Sequence, residues 1–126
     1  MTKSSKTKMM TYLAVYLGAT SAMKKWEKLP EKTRKEREAL GMQAWHSWIA
    51  ENKKSIVYMG APLGVTKRVS RKGVANTNNE MGAFTVVQAN SHAAAAKLFK
   101  NHPHFSIFPG EAVEIMECMP IPGLEN

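Results

Sequence analysis

Apolar side chains occupy both alternating sets of positions in the segment MMTYLAVYL, residues 9–17. One set contains two tyrosines and the other is aliphatic: Tyr12 and Tyr16, then Leu13, Val15 and Leu17. Successive side chains of a β-strand point to opposite faces of its sheet, so a strand with one wet face alternates between apolar and polar residues. This segment therefore predicts a strand that is covered on both faces.

The same segment also has the features of an exported leader. A basic start, an apolar run of about ten residues and small residues at Ala19 and Ala22 are typical of a secretory signal peptide. We favour the strand, because removing the segment would take a central member from the sheet. The single cysteine, Cys118, also suits a reducing compartment better than a disulfide-bonded secreted protein. We therefore expect a cytoplasmic protein with a disordered basic leader at residues 1–8 and one folded domain at residues 9–126.

Composition restricts the classes of partner. The chain has 126 residues, the size of one domain, and no apolar stretch reaches the roughly 18 residues that a membrane span needs. Its formal charge is +8, which points toward nucleic acid. The basic residues nevertheless fall in separate clusters, and no helix-turn-helix, Cys/His finger or RNP-like aromatic box is present. We therefore rank nucleic-acid binding below binding of a small molecule.

Periodicity and turn residues predict the remaining elements. Pro30 suits a helix start, Ser91 suits the N-cap of a second helix, and Gly60 interrupts the strand between them. After the first strand we expect a connector at 19–29, a helix from 31 to about 53, one bent strand at 55–70, a strand at 83–89, a helix at 92–101 and a strand at 111–119. The order β-α-β-β-α-β is that of an α+β, ferredoxin-like sandwich, a four-stranded antiparallel sheet with two helices on one face.

Four stretches carry a resemblance to a known family. They are GAPLGVTKRVS at 60–70, GAFTVVQANSHAAAAKLF at 82–99, NHPHFSIFPG at 101–110 and VEIMECMPIPG at 113–123. Together they resemble the YCII-related family of the dimeric α/β-barrel superfamily, whose members are mostly uncharacterised. The resemblance implies a homodimer in which two ferredoxin-like sheets face each other across a two-fold axis. It also implies a ligand cavity between those two sheets.

The candidate catalytic residues are one histidine and two glutamates. A better-studied branch of the family carries a histidine on its first helix, paired with a carboxylate and proposed to move protons. Alignment on Gly60 places that position at Gln43, which cannot act as a general base, and His46 lies one turn away. His46 is therefore a candidate, with a position on the helix flank as the simpler interpretation. Glu114 and Glu117 lie on opposite faces of the last strand, and one of them is either a proton-transfer group in the cavity or a solvated edge residue.

The candidate ligand-binding residues are aromatic and basic. Tyr12, Tyr16 and Tyr58 would ring the cavity, and an anionic ligand would meet whichever of Lys67 and Arg68 points inward. Such a site predicts a small-molecule binding module. The alternative is a small lyase-like or isomerase-like enzyme that transfers protons through a cavity carboxylate or His46.

Metal and cofactor sites find little support in the sequence. His102 and His104 flank Pro103, but no cysteine or carboxylate lies at a matching short spacing, so we favour a structural loop over a metal site. No phosphate-binding glycine loop or nucleophile elbow is present. We therefore assign neither a metal nor a cofactor.

Overall fold

A computed structural model of the protein describes residues 8–124. Its strands and helices are β1 (Met10–Leu17), α1 (Thr20–Glu27), α2 (Glu31–Glu51), β2 (Ile56–Pro62), β3 (Thr66–Ser70), β4 (Gly73–Thr77), β5 (Met81–Ala89), α3 (His92–Lys97), α4 (Pro103–Ser106) and β6 (Ala112–Glu117). Residues 1–7 of the predicted leader lie outside the described residues, so that prediction stays open for them. Within the described part of the chain, no helix is long and apolar enough to cross a membrane.

Four strands form an antiparallel sheet in the order β2-β5-β1-β6. β1 lies inside this sheet, between β5 and β6. The predicted α+β fold with a four-stranded antiparallel sheet is therefore confirmed. β3 and β4 form a separate two-stranded hairpin that extends from the end of β2.

Helices α2 and α3 pack on one face of the sheet, which we call the helix face. Tyr12 and Tyr16 of β1 point toward this layer and are at most 2% exposed. Trp48 of α2 packs on Phe99 with ring centroids 5.1 Å apart. The Trp48 Nε1–H also donates a hydrogen bond of 2.7 Å to the carbonyl oxygen of Leu98. Burial of large apolar side chains, with the indole N–H satisfied, holds α2 against the end of α3.

The opposite face of the sheet is also apolar, and we call it the outer face. Residues that pair directly across strands share a face. Leu13 pairs with Val86 of β5 and with Met116 of β6, and Val86 pairs in turn with Tyr58 of β2. Met116 is 41% exposed and Tyr58 is 57% exposed. Val15, on the central strand of this face, is only 7% exposed. The outer face therefore presents apolar side chains to solvent on its edge strands, β2 and β6, in the single chain.

The structure differs from the sequence prediction in three places. The predicted connector at 19–29 contains α1, whose Trp26 is buried and packs near Phe108. The predicted bent strand at 55–70 is two strands in different sheets, β2 and β3. Pro103, expected to end a helix, instead occupies the first position of α4, while α3 ends earlier, at Lys97. Trp26 of α1 contacts a distant residue, Phe108. β3, by contrast, pairs with the neighbouring strand β4, and His102 caps α4 locally.

Candidate functional site

A cavity of about 460 Å³ lies between α2 and the helix face of the sheet. Its walls come from α2, from β1, β2 and β5, and from the α4 region, and most of the lining is apolar. Trp45 of α2, Ala83 of β5 and Phe108 are among the lining residues. The volume lies within the range of roughly 300–1,000 Å³ that is usual for small-molecule sites.

The wall supplied by α2 follows from the spacing of its apolar residues. Met42, Trp45 and Ile49 recur at intervals of three and four, which places them on one side of the helix. Gly41 precedes them, and a side-chain carbon there would overlap the ring of Phe108. The missing side chain at Gly41 therefore lets Phe108 lie against α2 and close one end of the cavity.

A second glycine shapes the wall that β2 supplies. Gly60 has a φ of 78°, a left-handed conformation that side-chain-bearing residues rarely adopt. A Cβ atom at Gly60 would also overlap the backbone carbonyl oxygen of Phe84. The β2–β5 register shifts between Tyr58 and Ala61, so Gly60 marks a bulge in the edge strand. This bulge brings the β2 backbone close to β5 beside the cavity.

A chain of hydrogen bonds crosses the sheet under the cavity. The Thr85 hydroxyl donates to the carbonyl oxygen of Met59 at 3.0 Å, which leaves its oxygen to accept from the Tyr16 hydroxyl at 2.8 Å. Burial raises the pKa of Tyr16 to about 12, partly offset by the hydrogen bond to Thr85. Tyr16 therefore stays protonated at neutral pH, and its hydroxyl is held at a fixed place in the wall.

His104 is the half-buried imidazole of the cavity wall. Because a carbonyl oxygen only accepts, the 2.6 Å contact with the Leu17 oxygen identifies Nε2 as the protonated nitrogen. Burial lowers the pKa of His104 below its ordinary value, against the opposing effect of hydrogen bonds to the backbone of Leu17 and Ala112. The ring is therefore neutral at pH 7, with Nδ1 able to accept a hydrogen bond or a proton.

His102 supports this arrangement from behind the cavity. Its Nδ1 accepts the backbone N–H of His104 at 3.0 Å and caps α4. The ring is completely buried, with the rings of Trp45 and Trp48 at centroid distances of 4.5 and 4.6 Å. Its Nε2 has no hydrogen-bond partner among the described residues. Burial, followed by the proximity of His104, lowers the pKa of His102 to about 4, so this ring is neutral too.

The two histidines do not belong to a metal centre in the described structure. Within residues 8–124, no group of three or more His, Cys, Asp or Glu side chains is placed to hold a metal ion. His102 caps a helix and His104 donates to a strand carbonyl, so each ring makes a structural contact in this loop.

The predicted ligand-binding residues lie in three different places. Tyr16 lines the cavity. Tyr12 lies on the same face but packs against the ring of His92, with centroids 5.2 Å apart. Tyr58 is on the outer face, and Lys67 and Arg68 are exposed on the β3–β4 hairpin, so these three do not line the cavity of the described chain.

The predicted catalytic residues also lie in different places. His46 lines the cavity at an exposed position, whereas Gln43 is exposed and does not line it. Glu114 pairs with Val15 on the outer face, and Glu117 pairs with Tyr12 on the helix face, so the two do lie on opposite faces. Both glutamates are exposed in the single chain, and neither lines the cavity.

Sequence reasoning missed several residues that form the site. Thr85, His104 and Phe108 line the cavity, and none of them was a candidate for ligand binding. Thr85 lies two residues after Ala83 and on the same face of β5, and Ala83 pairs with Tyr16, so this shared strand face was the available signal. For His104 and Phe108 the sequence offers no comparable signal, because α4 reaches the cavity only through the tertiary fold.

Comparison with known proteins supports the fold. No protein-family profile matches the chain, and no curated protein matches its sequence. Among solved structures, the chain is similar to 5-chloro-2-hydroxyhydroquinone dehydrochlorinase from Burkholderia phenoliruptrix AC1100, determined in complex with 2,5-dihydroxybenzoquinone. The identity is 16%, the match covers 92% of this chain and 100% of that one, and the TM-score is 0.53. The two proteins therefore share a related α+β fold.

Proposed function

We propose that this protein binds a small, flat ring compound in the cavity between α2 and the sheet. The observation that carries the proposal is the lining itself, aromatic and apolar over most of its surface, with a few polar side chains fixed by hydrogen bonds. Aromatic walls favour a planar ligand through stacking and edge contacts, and few polar groups give it orientation.

Three polar side chains of the cavity wall determine which hydrogen-bonding groups the ligand should have. Tyr16 and Thr85 form a hydroxyl pair at the wall, and His104 offers Nδ1 as an acceptor. A ligand hydroxyl is the natural donor to that nitrogen. Thr85 donates its proton to Met59 and Tyr16 donates its proton to Thr85, so the pair offers the ligand an acceptor, the remaining lone pair of the Tyr16 oxygen. The ligand class is therefore a ring compound that carries hydroxyl groups.

The related fold of the dehydrochlorinase suggests a compound with which to test binding. That protein was determined with 2,5-dihydroxybenzoquinone, a flat ring with two hydroxyl and two carbonyl groups. The proposed relationship to the YCII-related family rests on the sequence motifs quoted above. We place the ligand on the helix face, where the single chain already contains a cavity, rather than between two sheets, where the family resemblance puts it.

A second candidate function is proton transfer on the same ligand. It is favoured by the presence of two imidazoles, His46 and His104, on the wall of one cavity. No carboxylate lines that cavity in the described chain, so an enzyme of this kind would depend on imidazole rather than on Glu114 or Glu117.

The proposal includes a homodimer built on the outer face. An apolar face beyond a few hundred Å² is more than a monomer normally leaves wet. A second copy of the same face, related by a two-fold axis, covers it with matching apolar side chains. The cavity and the dimer interface would then lie on opposite faces of one sheet.

Calorimetric titration with 2,5-dihydroxybenzoquinone and hydroquinone tests the binding site. Ala83→Met extends a side chain into the cavity and should weaken binding at least about tenfold, since it fills the space of the ring. Ala96→Met, at an exposed position of α3, is the matched control and should bind like the wild type. Equal affinity of all three proteins would place the ligand elsewhere and end the proposal.

His46→Gln separates binding from catalysis. If His46 is a lining residue only, affinity and any turnover of the bound ring compound should stay within a few-fold of the wild type. A loss of turnover of about a thousand-fold, roughly 4 kcal/mol, with affinity unchanged would establish the proton-transfer enzyme. Thermal unfolding of the variant excludes a packing effect.

A further inference from the structure

Charges of opposite sign are concentrated in two separate parts of this chain. Residues 63–79, which contain the β3–β4 hairpin, carry four cations and no acidic residue: Lys67, Arg68, Arg71 and Lys72. Residues 105–124, which contain β6, carry three acids and no lysine or arginine: Glu111, Glu114 and Glu117. All seven side chains are exposed. The chain therefore presents a basic hairpin and an acidic strand.

Among residues 8–124, no ion pair matches these charges. The ion pair that the described residues form joins Lys35 to Glu31, both on α2, at 3.0 Å. Lys67 donates a hydrogen bond of 2.7 Å to Asn76 across the hairpin, and that contact leaves its charge uncompensated. An exposed cation cluster on a chain with net charge +8 repels the rest of the molecule, so an anionic neighbour would stabilise it.

The topology keeps the two charged parts away from each other in one protomer. β2 and β6 are the opposite edges of the sheet, and the hairpin continues from the β2 edge. Three strand spacings, roughly 14 Å, separate these edges before the hairpin projects further. The acidic strand of one chain is therefore beyond the reach of its own hairpin.

The hairpin also exposes apolar side chains. Val65 is 100% exposed, and Val69 and Val74, which pair with each other across the hairpin, are 76% and 69% exposed. A two-stranded hairpin is at best marginally stable alone in water and needs a packing partner. A surface that carries both valines and cations is complementary to a surface that is both apolar and acidic. β6 has that composition, with Met116 exposed between Glu114 and Glu117.

We propose that the β3–β4 hairpin of one protomer docks on the β6 edge of a second copy of this chain, and that the partner's hairpin does the same in return. Each protomer carries one basic hairpin and one acidic edge, so a two-fold axis forms both contacts at once and closes the assembly. Opposite charges fix which edges meet, and the exposed valines cover the apolar side chain between the glutamates. This inference rests on the homodimer proposed above and adds the element that sets its register.

A charge-swap experiment on the full chain tests the docking. The hairpin variant is Arg68→Glu with Arg71→Glu, and the edge variant is Glu114→Arg with Glu117→Arg. Each variant alone places like charges at both contacts, so its self-association should weaken about tenfold or more in sedimentation velocity at low salt. An equimolar mixture restores opposite charges at both contacts and should form a heterodimer of nearly wild-type affinity. Because the altered side chains are exposed, both variants should keep the wild-type circular dichroism spectrum.

The control variant is Lys53→Glu with Lys54→Glu, exposed residues just before β2 and at the opposite end of that strand from the hairpin, which makes the same change in net charge as the hairpin variant. It should associate like the wild type. A dimeric wild type whose variants and mixture all associate equally would overturn the hairpin contact while keeping the sheet-to-sheet dimer. A monomeric wild type would overturn both. Loss of binding to a double-stranded oligonucleotide by the hairpin variant, with dimerisation unchanged, would assign the hairpin to an anionic polymer and also overturn the contact.

Discussion

The two faces of the same sheet differ in how far their apolar side chains are buried. On the helix face, Tyr12 and Tyr16 are 2% and 1% exposed, and Val87 is completely buried. On the outer face, Tyr58 and Met116 keep 57% and 41% of their surface in contact with solvent. Both sets come from strands with apolar residues on both sides, so sequence alone does not distinguish them.

This difference in burial gives the two faces different roles. The helix face is complete within one chain, and there α2 leaves a cavity whose polar groups are fixed by hydrogen bonds to the backbone. The outer face is incomplete within one chain and gains most from a second copy. A substitution on the helix face should therefore change protomer stability and ligand binding, whereas one on the outer face should change association.

A matched pair of tyrosines gives the largest expected contrast. Tyr12→Ala should lower the free energy of unfolding by about 3–5 kcal/mol, because it opens a cavity in the buried core. Tyr58→Ala should lower the unfolding free energy of the dissociated protomer by less than about 1 kcal/mol, because the side chain is mostly exposed. Urea denaturation at a concentration where the protein is monomeric measures both.

The same Tyr58→Ala variant should weaken dimerisation, which Tyr12→Ala should affect only through folding. Sedimentation velocity measures this second half of the contrast. Equal losses of unfolding free energy for the two variants would mean that the faces are not distinguished by burial as described.

Acid should destabilise the helix face through His102. Its pKa is about 4 in the folded protein and about 6.5 in an unfolded chain, so the unfolded state binds more protons as pH falls. The stabilisation is complete above about pH 6.5 and is lost as pH falls through about 4, for a total of about 3 kcal/mol. Urea denaturation at a series of pH values between 4 and 7 follows this loss.

His102→Asn is the matched variant for the pH series. Asparagine keeps a side-chain acceptor at the N-cap of α4 and does not titrate. The acid-induced loss should therefore shrink in this variant, with the remainder including the lowered pKa of His104. An unchanged pH dependence would exclude His102 as its source.

Thr85 tests the hydrogen-bond chain under the cavity. Thr85→Val removes the hydroxyl that joins Tyr16 to the Met59 carbonyl, and leaving these buried groups unpaired should cost about 1–3 kcal/mol. Thr85→Ser keeps the hydroxyl and should recover most of that loss. Thermal unfolding ranks the variants, and a serine variant no more stable than the valine variant would show that packing of the methyl group dominates.

The smallest effect is expected on the hairpin. Lys67→Ala removes an exposed hydrogen bond to Asn76 and should change the unfolding free energy by a few tenths of a kcal/mol. Its larger effect should be on the salt dependence of dimerisation, because the cation faces the partner in the proposed contact. A loss of more than about 1 kcal/mol would show that the hairpin supports the protomer itself.

Local chemistry predicted much of the fold. The composition of residues 9–17 predicted a strand, which forms as β1, and Ser91 caps α3 by accepting the Ala94 backbone N–H at 3.0 Å, as its residue type indicates. Helix α2 begins at Glu31, directly after Pro30, and ends at Glu51, close to its predicted bounds. These features depend on alternation, capping and proline geometry, all of which act over a few residues.

The site was less predictable, because it is assembled from distant segments. Tyr16 and His46 line the cavity on the helix face, whereas the sequence resemblance placed the ligand between two sheets. Thr85 and His104 reach this cavity only through strand pairing and the placement of α4. The cavity also depends on two glycines that have no side chain. A side chain at Gly41 would overlap the ring of Phe108, and one at Gly60 would overlap the backbone of Phe84. Such contacts link positions far apart in the chain, and no local pattern encodes them.

In the proposed complex, the ligand lies on the helix face of the sheet and leaves the outer face free. Amide ¹H–¹⁵N spectra of the full chain, recorded during titration with 2,5-dihydroxybenzoquinone, test this placement residue by residue. We predict shifts at Ala83, Thr85 and His104 around the cavity, and none at Leu13 or Met116 on the outer face. Saturable shifts confined to the outer face, or no shift at millimolar ligand, would contradict binding of the ligand on the helix face.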